Sequence, residues 1–436
     1  MNMIENIREQ YQQLHSGNSN GILLPVEQQA YQVFNEMGVP GARNEEWKYT
    51  RIGNLFNREF VFTQGARHIP LMAQDVGQVR LPGAENANEL VFVNGAYSAE
   101  LSNIFSADLE ILSLQEAAAG KYRDVVGEHL GHSSRYHRDG IHALNTAFAR
   151  GGIFINIPKG RIIEHPVYVY HITDARSESV FSQPRSLIIV GENSQVQFVE
   201  TYATIGMSES FLNQVVEVVL HQDALVEYYK IENDAAQTHQ VNTTHFRQVG
   251  KSVLHTVTVS LNGGIVRNNL NIALEAEHSE AHMYGLYFLQ GSTHVDNHTV
   301  ADHLKPNCQS NEMYKGIIDD HATAVFNGKI FVQPDAQKTN AFQSNKNILL
   351  SDAATVNTKP QLEIFADDVK CSHGCTVGQL DDEALFYLQS RGVSRRIALS
   401  LLVHAFAVDV LEHIRLEPVR NYVDQLISER LEFNIQ

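Results

Sequence analysis

Three side chains in one short run have the chemistry to hold a metal or a sulfur species. In the segment Phe365 to Gly392, FADDVKCSHGCTVGQLDDEALFYLQSRG, Cys371, His373 and Cys375 occupy alternate positions. On a strand, alternate side chains share a face. Thiolate and imidazole are soft-to-borderline donors that suit iron, zinc and iron–sulfur clusters. Spacing limits what they do alone. Cys371 and Cys375 would stand about 13 Å apart on a flat strand, and two thiolates at about 2.3 Å from one metal cannot bridge that gap. Either Gly374 kinks the strand, or each group meets ligands from elsewhere, a second chain included. The plainer reading is a small buried thiol beside a hydrogen-bonded core histidine.

A second constellation is HVDNHTVADH, with His294, Asp296, His298, Asp302 and His303. His294, Asp296 and His298 alternate, and two histidines with a carboxylate suit non-haem iron. The alternative is a polar ladder along one face of a solenoid. Familiar catalytic signatures are missing: Gly285 to Thr293, GLYFLQGST, lacks the lysine of a phosphate-binding loop. There is also no HExxH and no CxxC pair.

The elements that position these groups change character along the chain. Ile4, Ile7, Tyr11 and Leu14 recur at helical spacing, and Asn18-Ser19-Asn20-Gly21 breaks the pattern. A second helix is predicted from about Val26 to Met37, stopped by Gly38 and Pro40. A strand-like Glu89–Gly95 follows, then helical patterns from about Leu114 to Leu130 and from Ile141 to Arg150. From Ile153 helical spacing gives way to short runs rich in Val, Ile, Tyr, Phe and Thr: Ser186–Val190, Gln195–Glu200, Gln214–Leu220, Leu225–Lys230 and Leu254–Leu261. Several runs open with a small residue: Ser194, Ala224, Ser252, Ser279, Ala322 and Ala353. Their starts lie about 30 residues apart, with one longer gap of about 43, in the solenoid range. Such units bury a core only by stacking. Parallel strands without crossover helices point to a parallel β-helix; a sandwich or propeller is the alternative, and Asn94-Gly95, Asn262-Gly263 and Asn327-Gly328 are hairpin signals. The tail is helical again. Asp381-Asp382-Glu383 opens one helix, Ser394 caps a longer one running to about Ile414, and Pro418 starts the last. The organisation expected is a mixed helical region over 1–152, a β-helix over 153–377 and a helical domain over 378–436.

Bulk properties narrow the partners. The 436 residues are 43% hydrophobic, enough for a sizeable core. The formal charge is −17, which repels nucleic acid and anionic membrane. Three cysteines, Cys308, Cys371 and Cys375, make no disulfide framework. The opening MNMIENIREQ lacks a basic n-region and an apolar h-region. No run reaches the roughly 18 apolar residues that span a bilayer. A reducing cytoplasm is the expected setting.

These residues also match a family. The run DDVKCSHGCTVGQLDDEALFYLQSRG resembles the C-terminal signature of the SufB/SufD family of iron–sulfur cluster assembly scaffolds, and its CSHG and TVGQL resemble the SufD branch. RNEEWKYT (Arg43–Thr50), ALNTAFARGGIFINIPKG (Ala143–Gly160), YKGIIDD (Tyr314–Asp320), FNGKI (Phe326–Ile330) and AQKTNAFQSNKNILLS (Ala336–Ser351) are similar to family hallmarks across most of the chain. The resemblance implies a mainly β protein, a right-handed parallel β-helix between N-terminal and C-terminal helical regions. It implies a scaffold without turnover of its own, in a complex with SufB and two copies of the ATPase SufC. SufB is expected to pair through the β-helix cores, and SufC to dock on the C-terminal helices, here around Arg391, Arg395, Arg396, Leu402, His404 and Phe406. The matching histidine, His373, becomes the expected ligand of a nascent cluster at the interface with SufB, with Cys371 supporting. Cys375 stands where the family usually has alanine, as an extra ligand or an incidental small residue. No tightly bound cofactor is expected, only transient iron or a cluster. Use of flavin, which some family complexes bind, is left open, as is a homodimer of the isolated chain. Two other readings compete: a stand-alone metalloenzyme using the histidine clusters, and a solenoid enzyme acting on carbohydrate.

Overall fold

In the middle of the chain, strands pair not with their neighbours in sequence but with the strand after next. Leu225–Asn233, for example, lies parallel between Gln195–Gly206 and Val253–Asn262. The computed structural model, which describes residues 3–16, 21–62 and 71–433, is thus a β-solenoid of about eight turns with helices before and after it. Each coil contributes one strand to a 10-stranded sheet and one to a 12-stranded sheet. The break at 18–20 lies outside the described residues.

Register shows why the repeat works. Gln195, Leu225, Val253, Glu280, Gln309, Asn340 and Lys370 stand side by side, in steps of 27 to 31 residues. The residue before each of the first six is small or medium-sized and buried at a corner: Ser194, Ala224, Ser252, Ser279, Cys308 and Thr339. Most corners are preceded by a left-handed residue, namely Asn193, Asp223, His278, Asn307 and Lys338, and Asn and Asp tolerate that conformation best. The apparent gap of 43 residues has a simple origin. Ala322 opens a strand of the other sheet, whereas Cys308 is the true successor of Ser279.

The bore between the sheets is filled by inward side chains such as Val196, Phe198, Val218, Phe246, Ile272 and Ile330. Each such burial contributes about 1.5–3 kcal/mol. Two glycines make room for rings: a Cβ on Gly285 would lie 2.2 Å from the ring of Tyr314, and one on Gly316 2.1 Å from that of Tyr287. Outer faces are covered differently. Helices Met3–Leu14, Leu23–Met37 and Gly140–Ala147 lie over the 12-stranded sheet through Phe34, Phe148, Phe181 and Phe211. Helices Arg395–Leu411 and Glu417–Phe433 cover the 10-stranded sheet, packing Val403, Val410, Val419 and Val423 on Tyr229, Val257 and Leu286.

Several elements differ from their sequence reading. The Leu114–Leu130 pattern is two helices, Leu114–Ala119 and Arg123–His129, separated at Gly120. Asn94-Gly95 does turn an antiparallel hairpin, joining Asn88–Val93 to Ala96–Asn103. Asn262-Gly263 instead marks a solenoid corner, and Asn327-Gly328 lies inside the strand Thr323–Val332. Local turn chemistry was overridden there by the ladders on either side. Asn88–Val93 pairs in parallel with Val167–Ala175, so a strand from the N-terminal region extends the 10-stranded sheet. No helix among the described residues is long and apolar enough to cross a membrane.

Candidate functional site

The CSHG run lies on Lys370–Gly378, the last strand of the 10-stranded sheet. It pairs on one side with Asn340–Leu349 in a single unbroken register, so Gly374 introduces no kink. The row of inward side chains continues along it. Cys371 follows Ala341, His373 follows Gln343 and Cys375 follows Asn345. Ala341, Gln343 and Asn345 are buried, whereas His373 and Cys375 are exposed and Cys371 is half-buried against the bore. The three groups therefore line the open end of the bore. Burial pushes the Cys371 thiol above its usual range, with a backbone hydrogen bond at Ala341 opposing it. Among the described residues no group of three or more His, Cys, Asp or Glu is arranged to hold a metal ion, and these three are no exception.

The second constellation is structural. His294, Asp296 and His298 face outward from the 12-stranded sheet, beneath RNEEWKYT. Thr50 donates to Asp296 at 2.5 Å and lies 2.8 Å from the His294 ring. Arg267 pairs with Asp296 at 2.9 Å and stacks 4.0 Å from the Trp47 ring. Glu46 bridges His298 and Lys329, and the hydrogen bonds from these two side chains, with the charge of Lys329, hold its carboxyl down at about 2 against burial. Asp302 accepts from Tyr136 and Gln333, and His303 turns inward to Ser310. The ladder reading holds, and these groups clamp the N-terminal segment. The run Gly17 to Gly21, GNSNG, spells the GxSxG pattern, but it follows the helix Met3–Leu14 and not the strand a nucleophile elbow requires.

On the C-terminal helices, Arg391, Arg395 and Arg396 are exposed and Leu402 is half-buried. His404 is engaged with Asp424 at 2.7 Å, and Phe406 packs on the core under Lys315. The apolar surface that is open belongs to other residues: Phe386 is 72% exposed, Tyr387 57%, Ile397 54% and Leu401 50%. Sequence reasoning missed them because an apolar helical run does not say which side is covered. Their clustering on Asp382–Ser390 and the first turns of Arg395–Leu411 was the available signal.

Comparison with known proteins agrees with this architecture. The family model described as SUF system FeS cluster assembly, SufBD core domain, matches residues 171–406. That described as SufBD protein N-terminal region matches residues 2–169. The chain is 32% identical over 432 residues to an iron–sulfur cluster assembly SufBD family protein of Synechocystis sp., covering 96% of this chain and 93% of that one. It is 29% identical over 409 residues to the iron–sulfur cluster assembly protein SufD of Escherichia coli, covering 93% of each. It is 26% identical over 293 residues to SufD of Bacillus subtilis, covering 66% of each. With matched segments running through both the helical N-terminal region and the solenoid, the chain belongs to the SufBD family of the SUF iron–sulfur cluster assembly system.

Proposed function

We propose that this chain is the SufD-type, non-ATPase scaffold of a SufBCD complex, working in the cytoplasm and without turnover of its own. One observation carries the reading: the strand bearing Cys371, His373 and Cys375 is an open sheet edge at the end of the solenoid. A regular, exposed edge without proline is a template for a strand from another chain, here the solenoid of a SufB-type partner. Because no complete ligand set exists within the described residues, His373 and Cys371 would meet further ligands only across that junction. Iron and sulfide are then cargo, held where the two chains meet. Imidazole binds iron in its neutral form, so acid weakens such a site. Cys375 stands at the same mouth as an accessory thiol. The exposed apolar side chains Phe386, Tyr387, Ile397 and Leu401, with the exposed Arg391, Arg395 and Arg396 close to them in sequence, are the surface for a SufC-type ATPase. Co-expression with SufB and SufC, anaerobic purification and mass determination test this. One SufB, one of this chain and two SufC are expected. A lone chain carrying a tight stoichiometric metal would overturn the reading in favour of a metalloenzyme.

A further inference from the structure

One buried acid in the bore is unused by any of these contacts. Glu312 is 1% exposed. Thr299 donates to one carboxyl oxygen at 2.6 Å, and the Gln343 amide donates to the other at 2.8 Å. Both donors are neutral. Glu312, Gln343 and His373 stand in one register row on successive coils. Opposite them, Thr299 and Gly328 are successive rungs of the other sheet. A Cβ on Gly328 would lie 2.3 Å from Nε2 of Gln343 and 2.9 Å from its Cδ. The missing side chain therefore lets the Gln343 amide reach across the bore. On the next rung the pairing of the other sheet is interrupted between Thr355–Thr358 and Gln361–Ile364, and His373 is exposed. Gln343 is 3% exposed, and its amide oxygen is buried without a hydrogen-bond partner. Such a buried orphan acceptor is unfavourable and calls for an explanation.

We propose that Glu312, acting through Gln343, is the positioning pair of His373. Glu312 fixes the amide so that its nitrogen faces inward, and the partnerless amide oxygen, one rung from His373, is the acceptor that a rotation of the imidazole brings to its ring N–H. The other ring nitrogen is left free as a donor to cargo. Metal-binding histidines are commonly set in one tautomer by such an acceptor. The cargo role of His373 rests on the function proposed above, whereas the tautomer does not.

The test is a long-range 1H–15N spectrum of the full chain with 15N-labelled histidine at pH 8, with His373 assigned by its loss in His373→Gln. One protonated and one unprotonated ring nitrogen are expected in the unmodified chain. In Glu312→Leu, which removes the acceptor of the Gln343 amide, and in Gln343→Leu, the two resonances should shift to the averaged values of a free imidazole. Melting curves check that each variant is folded. Identical His373 spectra in all three proteins would overturn the proposal, as would a free-imidazole spectrum in the unmodified chain. If the spectra change as expected while His373→Ala still assembles clusters normally, the positioning pair stands and the cargo role falls. If His373 is required but its spectrum is indifferent to Glu312 and Gln343, the pair falls alone.

Discussion

The guanidinium of Arg267 is held between the indole of Trp47, 4.0 Å away, and the carboxylate of Asp296, at 2.9 Å. Trp47 and Arg267 are among the largest fully buried side chains, and they join residues 220 positions apart. Trp47→Ala should cost about 3–5 kcal/mol through the cavity it leaves. Arg267→Ala should cost a similar amount, because Asp296 would stay buried without its cation. Denaturant unfolding of both single variants and the double variant checks this. Additive losses would deny the coupling between them.

Acid should loosen the same interface. His132, His142 and His245 are buried, and His137 half-buried, between the N-terminal region and the 12-stranded sheet. Burial is the main cause holding His132 and His137 down at about 4, and His142 and His245 well below their ordinary value. Glu217, Glu275, Arg185, Arg247, Asp139 and Arg267 surround them. The unfolded chain therefore binds more protons than the folded one between about pH 6.5 and pH 4. This contribution is complete above about 6.5 and is lost as pH falls towards 4. Glu217, held at about 2 despite burial by Arg185 and by hydrogen bonds from Ser133 and Gly131, adds a further loss below about 4.5. Trp47, the single tryptophan, reports the event by fluorescence. A melting temperature flat from pH 7 to pH 4.5 would contradict the assignment.

Glu312 should act with the opposite sign. Burial pushes its carboxyl up to about 7, with its two neutral donors opposing the shift. The folded state thus favours the protonated acid, and that stability is lost as pH rises from about 4.5 through 7. Glu312→Gln should remove this dependence and raise stability at pH 8 by on the order of 2 kcal/mol. Equal slopes of melting temperature against pH in the two proteins would refute it.

At the open edge, Cys375→Lys places an inward-pointing charge at the mouth of the bore, a device that blocks strand addition. Association with the SufB-type partner should be lost, while stability of the chain changes by no more than about 0.5 kcal/mol. His373→Ala should instead leave the complex intact and lower cluster yield. Size-exclusion profiles and reconstitution under anaerobic conditions separate the two effects.

On the helical patch, Ile397→Glu with Leu401→Glu should abolish ATPase docking and leave the melting temperature nearly unchanged, because both side chains are at least half exposed. Retained copurification of the ATPase would move the docking surface elsewhere.

How much of this was legible in the residues follows from the range of the forces involved. Alternation of apolar side chains, small corner residues before each run, the acidic helix start at Asp381-Asp382-Glu383 and the cap at Ser394 are local, so the strands of the solenoid and the C-terminal helices could be read directly. Ser394 and Asp381 do accept from the first-turn amides of their helices. So could the alternation of Cys371, His373 and Cys375, since a straight strand puts them on one side. Neither local pattern says what lies opposite. That HVDNHTVADH receives Thr50 and Glu46 depends on chain segments about 250 residues away. That Gln343 meets Glu312 depends on a 31-residue coil closing in register. The role of a polar side chain is set by its partner across a sheet or bore, and only the packed solenoid decides which partner that is.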